Sequence, residues 1–203
     1  LSEGYSVRAS LRSMDRKQEI KDALADHIKN NESLEFCKLD LMEDDGWDEA
    51  VKGCDYVLHV ASPVYEKNMK DESSFIEPAK QGLIRALKPA LKYKIKRFVM
   101  TSSIAAITQG HEDLNIDEKS WSIIENDTLP YIKSKTFAEK AMWDYMDEIE
   151  ESKKIEVCTI NPSFVFGPSL SYDMGASNLL IRALLIGKLP ALAKIQFNVV
   201  NVV

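Results

Sequence analysis

Tyr131 and Lys135 stand four residues apart in the run Pro130-Tyr131-Ile132-Lys133-Ser134-Lys135-Thr136-Phe137-Ala138-Glu139-Lys140-Ala141. If that run is helical, the phenol and the ammonium share one face. A phenol titrating near ~10 is a poor acid or base at neutral pH, and an ammonium held beside a phenol favours the phenolate. The pair is therefore a candidate proton shuttle, with Tyr131 giving or taking the proton. This spacing is common and takes its meaning from what the remaining chain brings to it. The other candidates are small polar residues where apolar runs end: Ala61-Ser62-Pro63, Thr101-Ser102-Ser103 and Asn161-Pro162-Ser163. Arg12 and Asp40-Leu41 close two earlier runs, and Arg16 and Lys17 follow the first of these.

Bringing such residues together takes strands that alternate with helices, and the sequence pattern supplies them. Residues 5–12 alternate after Gly4 and read as a strand, followed by a surface helix over 15–29 with Ile20, Leu24 and Ile28 at four-residue spacing. A second strand covers 34–41 and ends in Asp40; Trp47, Ala50 and Val51 mark a short helix closed by Gly53. Residues 55–61 form a near-continuous apolar run, as expected of a buried parallel strand. A long helix is expected over 73–93, with Pro78 tolerated in its first turn and Pro89 kinking or ending it. Residues 97–101 are the next strand, and 108–130 form a long polar excursion of the kind often tied to function. The Tyr131 helix has Asp127 and Thr128 as N-cap candidates and Pro130 in its first turn, and is expected to run to about Ser152 on a stripe of Phe137, Ala138, Ala141, Met142, Tyr145 and Ile149. A strand over 155–160, a helix over 177–186 and an apolar strand-like run over 195–203 complete the chain. The fold class is α/β, a doubly wound parallel sheet with helices on both faces, and ligands of such sheets bind beyond the carboxyl ends of the strands.

The chain has 203 residues, 45% apolar and 29% charged, enough to bury a real core. A net charge of −6 without a basic run excludes a nucleic-acid footprint. Cys37, Cys54 and Cys158 lie far apart in or beside apolar runs, which reads as free buried thiols. No run suits a membrane span, no His/Cys/carboxylate cluster suggests a metal, and cytoplasmic localisation is the expectation.

Four landmarks in order then carry a resemblance: Val60-Ala61-Ser62-Pro63, Thr101-Ser102-Ser103, Tyr131-Ile132-Lys133-Ser134-Lys135, and Asn161-Pro162-Ser163-Phe164-Val165-Phe166-Gly167-Pro168. With Asp117-Glu118-Lys119-Ser120-Trp121, they resemble the extended short-chain dehydrogenase/reductases, on the branch of dihydroflavonol, cinnamoyl-CoA and methylglyoxal or ketone reductases. The resemblance implies a Rossmann-like domain over 1–168, the start of a substrate-binding lobe over 169–203, and NADPH-dependent reduction of a small-molecule aldehyde or ketone. It makes Tyr131 the proton donor, Lys135 the partner of Tyr131 and of the nicotinamide ribose, and Ser103 the hydrogen-bond donor to the substrate carbonyl; Ser102 is expected to bond backbone.

For the cofactor, the resemblance implies contacts from Arg12 with Arg16 or Lys17, Asp40, Leu41, Val60, Ala61, Ser62, Pro162, Val165 and Ser177. A cation where Arg12 stands accommodates the 2′-phosphate of NADP, whereas an acidic residue would bind the ribose of NAD. Thr108 stands where flavonoid reductases carry an asparagine, which favours a generic carbonyl substrate. His59 reads as a packed histidine, Lys133 and Ser134 as facing solvent or backbone, and Trp121 and Trp143 as packing residues; His27 and His111 have no partner legible in the sequence.

The family's glycine-rich turn, which wraps the pyrophosphate at a helix N-terminus, is not among these residues. The expectation is a piece truncated at both ends, whose first and third strands, the second and fourth of the full fold, lack their shared neighbour. An NAD-dependent nucleotide-sugar epimerase or dehydratase is the alternative; Arg12 and Ile104-Ala105-Ala106 after Ser103 speak against it. Intact Ser103, Tyr131 and Lys135 speak against a non-catalytic nucleotide-binding protein.

Overall fold

Alternating and continuous apolar runs form the strands of this computed structural model, which describes residues 1, 3–28, 33–63, 73–111, 115–170, 174–188 and 198–202. Strand β1 (Val7–Leu11) pairs with β2 (Leu34–Lys38) in a two-stranded sheet. Strands β3 (Tyr56–His59), β4 (Arg97–Thr101) and β5 (Glu156–Ile160) form a separate parallel sheet in the order β3-β4-β5. Strands β6 (Phe164–Phe166) and β7 (Val199–Asn201) pair in parallel. The helices are α1 (Lys17–Leu24), α2 (Trp47–Val51), α3 (Ser73–Lys92), α4 (Pro130–Asp147) and α5 (Gly175–Leu185). Among the described residues β1 pairs only with β2 and β3 only with β4, so the expected break in the sheet is present.

Two compact units result. One comprises Leu1–Ala9, Ser13–Phe36 and Pro162–Val203; the other comprises Ser10–Arg12 and Cys37–Asn161. The second unit holds Tyr131, Lys135 and Ser103. Its register aligns Val57 with Phe98 and Val157, and His59 with Met100 and Thr159. Side chains of this face meet the buried stripe of α3 (Ala79, Leu83, Ala86, Leu87, Ala90) and that of α4 (Ala138, Met142, Met146) in the core. The opposite face of the sheet carries Leu58, Val60 and Ile160, which are 70%, 63% and 56% exposed.

Local chemistry moves several boundaries. Strand β2 stops at Lys38 because Asp40 enters a turn, its carboxylate accepting the Met42 amide at 2.9 Å. Helix α1 ends at Leu24, after a one-turn 3-10 helix (Met14–Arg16) capped by Ser13; Lys29 of the expected helix lies outside the described residues. So do Asp113 of the polar excursion, and 195–197 and 203 of the last apolar run. Pro89 neither ends nor interrupts α3, which continues to Lys92. Only one turn follows it, and buried Ala86, Leu87 and Ala90 hold that turn on the core. Helix α4 stops at Asp147 rather than Ser152, and a one-turn 3-10 helix (Glu151–Lys153) takes the last residues.

Helix α3 closes with Lys94 at φ 49°, the left-handed region. The Ile95 amide donates to the Ala90 carbonyl and the Lys94 amide to the Leu91 carbonyl, the pattern that glycine ordinarily completes. A side chain there costs roughly 1–2 kcal/mol, partly offset by the entropy glycine loses on folding. Lys94→Gly is expected to stabilise the protein by about 0.5–1 kcal/mol in denaturant titrations; a destabilised variant would contradict this account of the helix end.

Candidate functional site

Helix α4 carries its chemistry in a line. Tyr131, Lys135 and Glu139 follow one another at four-residue spacing and are 46%, 8% and 5% exposed, so the row runs from solvent into the core. Pro130 begins the helix, but neither predicted cap is used: Leu129 occupies the cap position, and Thr128 Oγ1 accepts the Glu125 amide at 2.8 Å to close the preceding turn. The Lys135 Nζ lies 5.9 Å from the centroid of the Tyr131 ring. Burial pushes the Lys135 pKa down, and among the described residues no carboxylate pairs with its ammonium. Lys133 is buried too, with Nζ donating to the Asn126 carbonyl at 3.0 Å, while the Ser134 hydroxyl donates to the Tyr131 carbonyl at 2.8 Å. Both meet backbone, and neither faces solvent.

Ser103 sits just beyond β4 and caps a one-turn 3-10 helix (Ile104–Ala106) that packs against α4. Its Oγ accepts the Ala105 amide at 3.2 Å, which leaves the hydroxyl proton available to a ligand. Its carbonyl accepts the Ala106 amide at 3.0 Å and Asn161 Nδ2 at 3.2 Å. The same Asn161 amide donates to Glu139 Oε2 at 2.8 Å, and Thr159 Oγ1 donates to Glu139 Oε1 at 3.1 Å. A buried carboxylate thus ties α4 to the ends of β4 and β5. The Ser102 amide donates to the Ile160 carbonyl at 2.8 Å, but its hydroxyl, expected to bond backbone, is instead buried without a hydrogen-bond partner among the described residues.

The polar excursion after Thr108 is fastened to this corner. Ser122 Oγ donates to the Ala105 carbonyl at 2.8 Å and accepts the Gln109 amide at 2.9 Å, and the Ser122 amide donates to the Ala106 carbonyl. Gly110 has φ 81°, and a Cβ there would lie 2.8 Å from Ile123 Cβ. His111 acquires a partner that was not legible in the sequence, donating from Nε2 to the Trp121 carbonyl at 3.0 Å. Trp121 lies under Lys140 Nζ, 5.2 Å from ring centroid to nitrogen, and Trp143 packs against the core.

His59 is buried at the end of β3 and stacks on Phe98, with ring centroids 6.0 Å apart. Burial first, and the Lys135 charge second, push its pKa down to about 4. It is a packed, neutral imidazole whose protonation would set a second cation beside Lys135.

The cofactor candidates divide between the units. In the unit of Tyr131, Arg12 is exposed at the end of β1 and makes no hydrogen bond or ion pair among the described residues. Asp40 is committed to the Met42 amide, and the Leu41 carbonyl accepts Arg85 at 2.7 Å while its side chain lies on Gly82. Val60 and Ala61 are exposed after β3, and Ser62 is half-buried. In the other unit, Arg16 forms a two-bond pair with Glu19, each bond 2.9 Å, and Lys17 lies 5.8 Å over the Phe36 ring. Pro162 follows Asn161, Val165 is in β6, and Ser177 is in the first turn of α5. That unit also has a cavity of about 380 Å³ lined by Gly167, Pro168, Asn178, Ile181 and Leu185, none of them a predicted site residue. Among the described residues there is no cluster of three metal ligands and no helix long and apolar enough to cross a membrane.

Sequence reasoning missed Glu139, Thr159 and Ser122. Glu139 had a legible signal: a carboxylate on the inward face of α4, one turn past Lys135 and between Ala138 and Met142. Thr159 and Ser122 had none, because only tertiary contact gives them partners.

Residues 1–196 match the profile of the NAD dependent epimerase/dehydratase family. Anthocyanidin reductase ((2S)-flavan-3-ol-forming) of Vitis vinifera is 33% identical over 197 residues, covering 92% of this chain and 56% of the relative. Dihydroflavonol 4-reductase of Arabidopsis thaliana is 34% identical over 192 residues, covering 91% and 48%. The chain spans about half the length of these curated relatives. Among solved structures, yeast methylglyoxal/isovaleraldehyde reductase Gre2 complexed with NADPH superposes with a TM-score of 0.71 at 29% identity, covering 83% of this chain and 53% of that one.

The buried imidazole makes a prediction about acid. The folded pKa of His59, about 4, lies below its ordinary value of 6.5. The unfolded chain therefore binds more protons between these values, and stability rises with pH across that window. About 2 kcal/mol should be lost between pH 7 and pH 5, or about 4–8 °C in Tm. His59→Leu should flatten this portion of the Tm–pH profile; an unchanged profile would show that His59 is not buried neutral.

Proposed function

The chain belongs to the NAD dependent epimerase/dehydratase family, and from that premise we propose that it forms part of an NADPH-dependent reductase of an aldehyde or ketone. Residues 1–168 are the dinucleotide-binding part, and residues 169–203 begin the substrate-binding lobe. The observation that carries this reading is Lys135, an ammonium buried beside the Tyr131 ring with no carboxylate paired to it among the described residues. A structural lysine in that place would be expected to have an anionic or hydrogen-bonding partner, as Lys133 has in the Asn126 carbonyl.

Arg12 and Lys135 fit the two ends of a phosphorylated dinucleotide. Arg12 is an exposed cation with no hydrogen bond or ion pair among the described residues, suited to a 2′-phosphate. Lys135 has N–H donors free for ribose hydroxyls, and exposed Val60 and Ala61 with Ser62 supply the surface beneath the ribose. Pro162, Val165 and Ser177 are assigned to the nicotinamide end, Asp40 and Leu41 to the adenine. The bound nicotinamide supplies hydride to the substrate carbonyl carbon. Tyr131 gives its proton to the carbonyl oxygen. The free Ser103 hydroxyl proton bonds the same oxygen while negative charge develops there. Lys135 attracts the phenolate that remains. Thr108, where flavonoid reductases carry asparagine, favours a small aldehyde or ketone over a flavonoid.

Tyr131→Phe in the full-length polypeptide is expected to cut kcat/KM for NADPH-dependent aldehyde reduction by roughly 10²–10⁴-fold, with NADPH binding by fluorescence little changed. Full activity in that variant would refute Tyr131 as the acid. For the coenzyme, Arg12→Ser should weaken NADPH by roughly 10–100-fold, the worth of one charge-assisted contact, and leave NADH unaffected. Arg16→Ala, which removes a cation already paired with Glu19, should change NADPH affinity less than about threefold, by the small worth of an exposed pair. The reverse order of effects would move the phosphate site to Arg16.

A further inference from the structure

Glu139 touches neither Tyr131 nor Lys135, yet its carboxylate is buried and both oxygens are used. Oε1 accepts the Thr159 hydroxyl and Oε2 accepts the Asn161 side-chain amide. That amide has a second proton, which goes to the Ser103 carbonyl. Both neighbours of the amide are acceptors, the Ser103 carbonyl and the Glu139 carboxylate, so only the amide nitrogen can face them, since two acceptors repel. The charged carboxylate, the stronger acceptor of the two, anchors Asn161 in that orientation. Ser103 is in turn held at both ends, by Asn161 and Ala106 at its carbonyl and by Ala105 at its hydroxyl oxygen.

We infer that Glu139 is a positioning residue, which orients the Asn161 amide so that the Ser103 hydroxyl is held in place relative to the Tyr131–Lys135 face of the same helix. This rests on the carbonyl-reductase reading above, because it assigns Ser103 a hydrogen bond to the substrate oxygen. The chain of contact runs through three named bonds of 2.8, 3.2 and 3.2 Å. Displacing a hydrogen-bond donor by an ångström costs on the order of 100-fold in rate.

A double-mutant cycle on the full-length polypeptide tests it. Glu139→Ala and Asn161→Ala should each lower kcat by roughly 10- to 100-fold with KM for NADPH within threefold, and the double variant should be no slower than the worse single one. Glu139→Gln can accept from Asn161 and donate to Thr159, so it should retain kcat within about threefold; this variant also covers the case in which Glu139→Ala does not fold. Independently of activity, amide hydrogen exchange at Ala105 and Ala106 in residues 1–203 should be about tenfold faster in Asn161→Ala and unchanged in Glu139→Gln. Additive rate losses, or exchange unaltered by Asn161→Ala, would overturn the inference. A wild-type protein that does not oxidise NADPH with any aldehyde or ketone would refute the reductase reading instead, with the exchange result still deciding whether Glu139 and Asn161 hold Ser103.

Discussion

Helix α4 buries ionisable side chains on a face that an ordinary helix would make apolar, and this constraint organises the whole corner. An uncompensated charge in the interior costs several kcal/mol. Lys133 and Glu139 escape that cost by hydrogen bonding, to the Asn126 carbonyl in one case and to Thr159 and Asn161 in the other. Each partner lies on a different segment, so compensating the helix fixes the loop before it and the strand ends beneath it. Apolar residues of similar volume would pack such a face at equal or better stability. A helix that keeps polar groups there and spends them on orienting Asn161 and Ser103 is arranged for position more than for stability.

The excursion between Thr108 and Pro130 shows the same economy. A stretch of this length whose described residues form neither strand nor helix should be costly to order. Ser122 fastens it with two hydrogen bonds to the turn that Ser103 caps and accepts a third from the Gln109 amide, and Thr128 closes it locally. The order of the loop is therefore borrowed from the Ser103 turn.

The elements were legible wherever one face had to be buried. Apolar runs marked the strands around Val57, Phe98 and Val157, and spacing marked the stripe of α4 that holds Ala138 and Met142, because burial writes itself into pattern. Ser103 and Tyr131 were legible by type and by position at a strand end and a helix start. Element ends were not. Asp40 ends β2 through its own carboxylate, Thr128 serves the turn before α4 instead of capping it, and Pro89 is overridden by core packing one turn from the end of α3. Glu139 passed as one more charged residue in a charged helix, since nothing in a one-dimensional pattern says that Asn161 will stand opposite it. The interrupted sheet was legible only by comparing the strands present with the topology that the resemblance implied.

Hydrogen-bond accounting separates residues that composition cannot. Arg12 and Arg16 are equally basic and four positions apart, but Arg16 is spent on Glu19 while Arg12 is not spent among the described residues. Lys133 and Lys135 are equally buried and two positions apart, but among the described residues Lys133 has the Asn126 carbonyl and Lys135 only the face of Tyr131. The Asp40 carboxylate already serves the Met42 amide. Residues that fold the chain have partners within it, whereas residues that act on a ligand must keep donors or charge in reserve. Burial makes that reserve costly at Lys135, where desolvation already disfavours the charged form. On the reading proposed above, the interaction left open at such cost is the one that a ribose diol, rich in acceptors, would close.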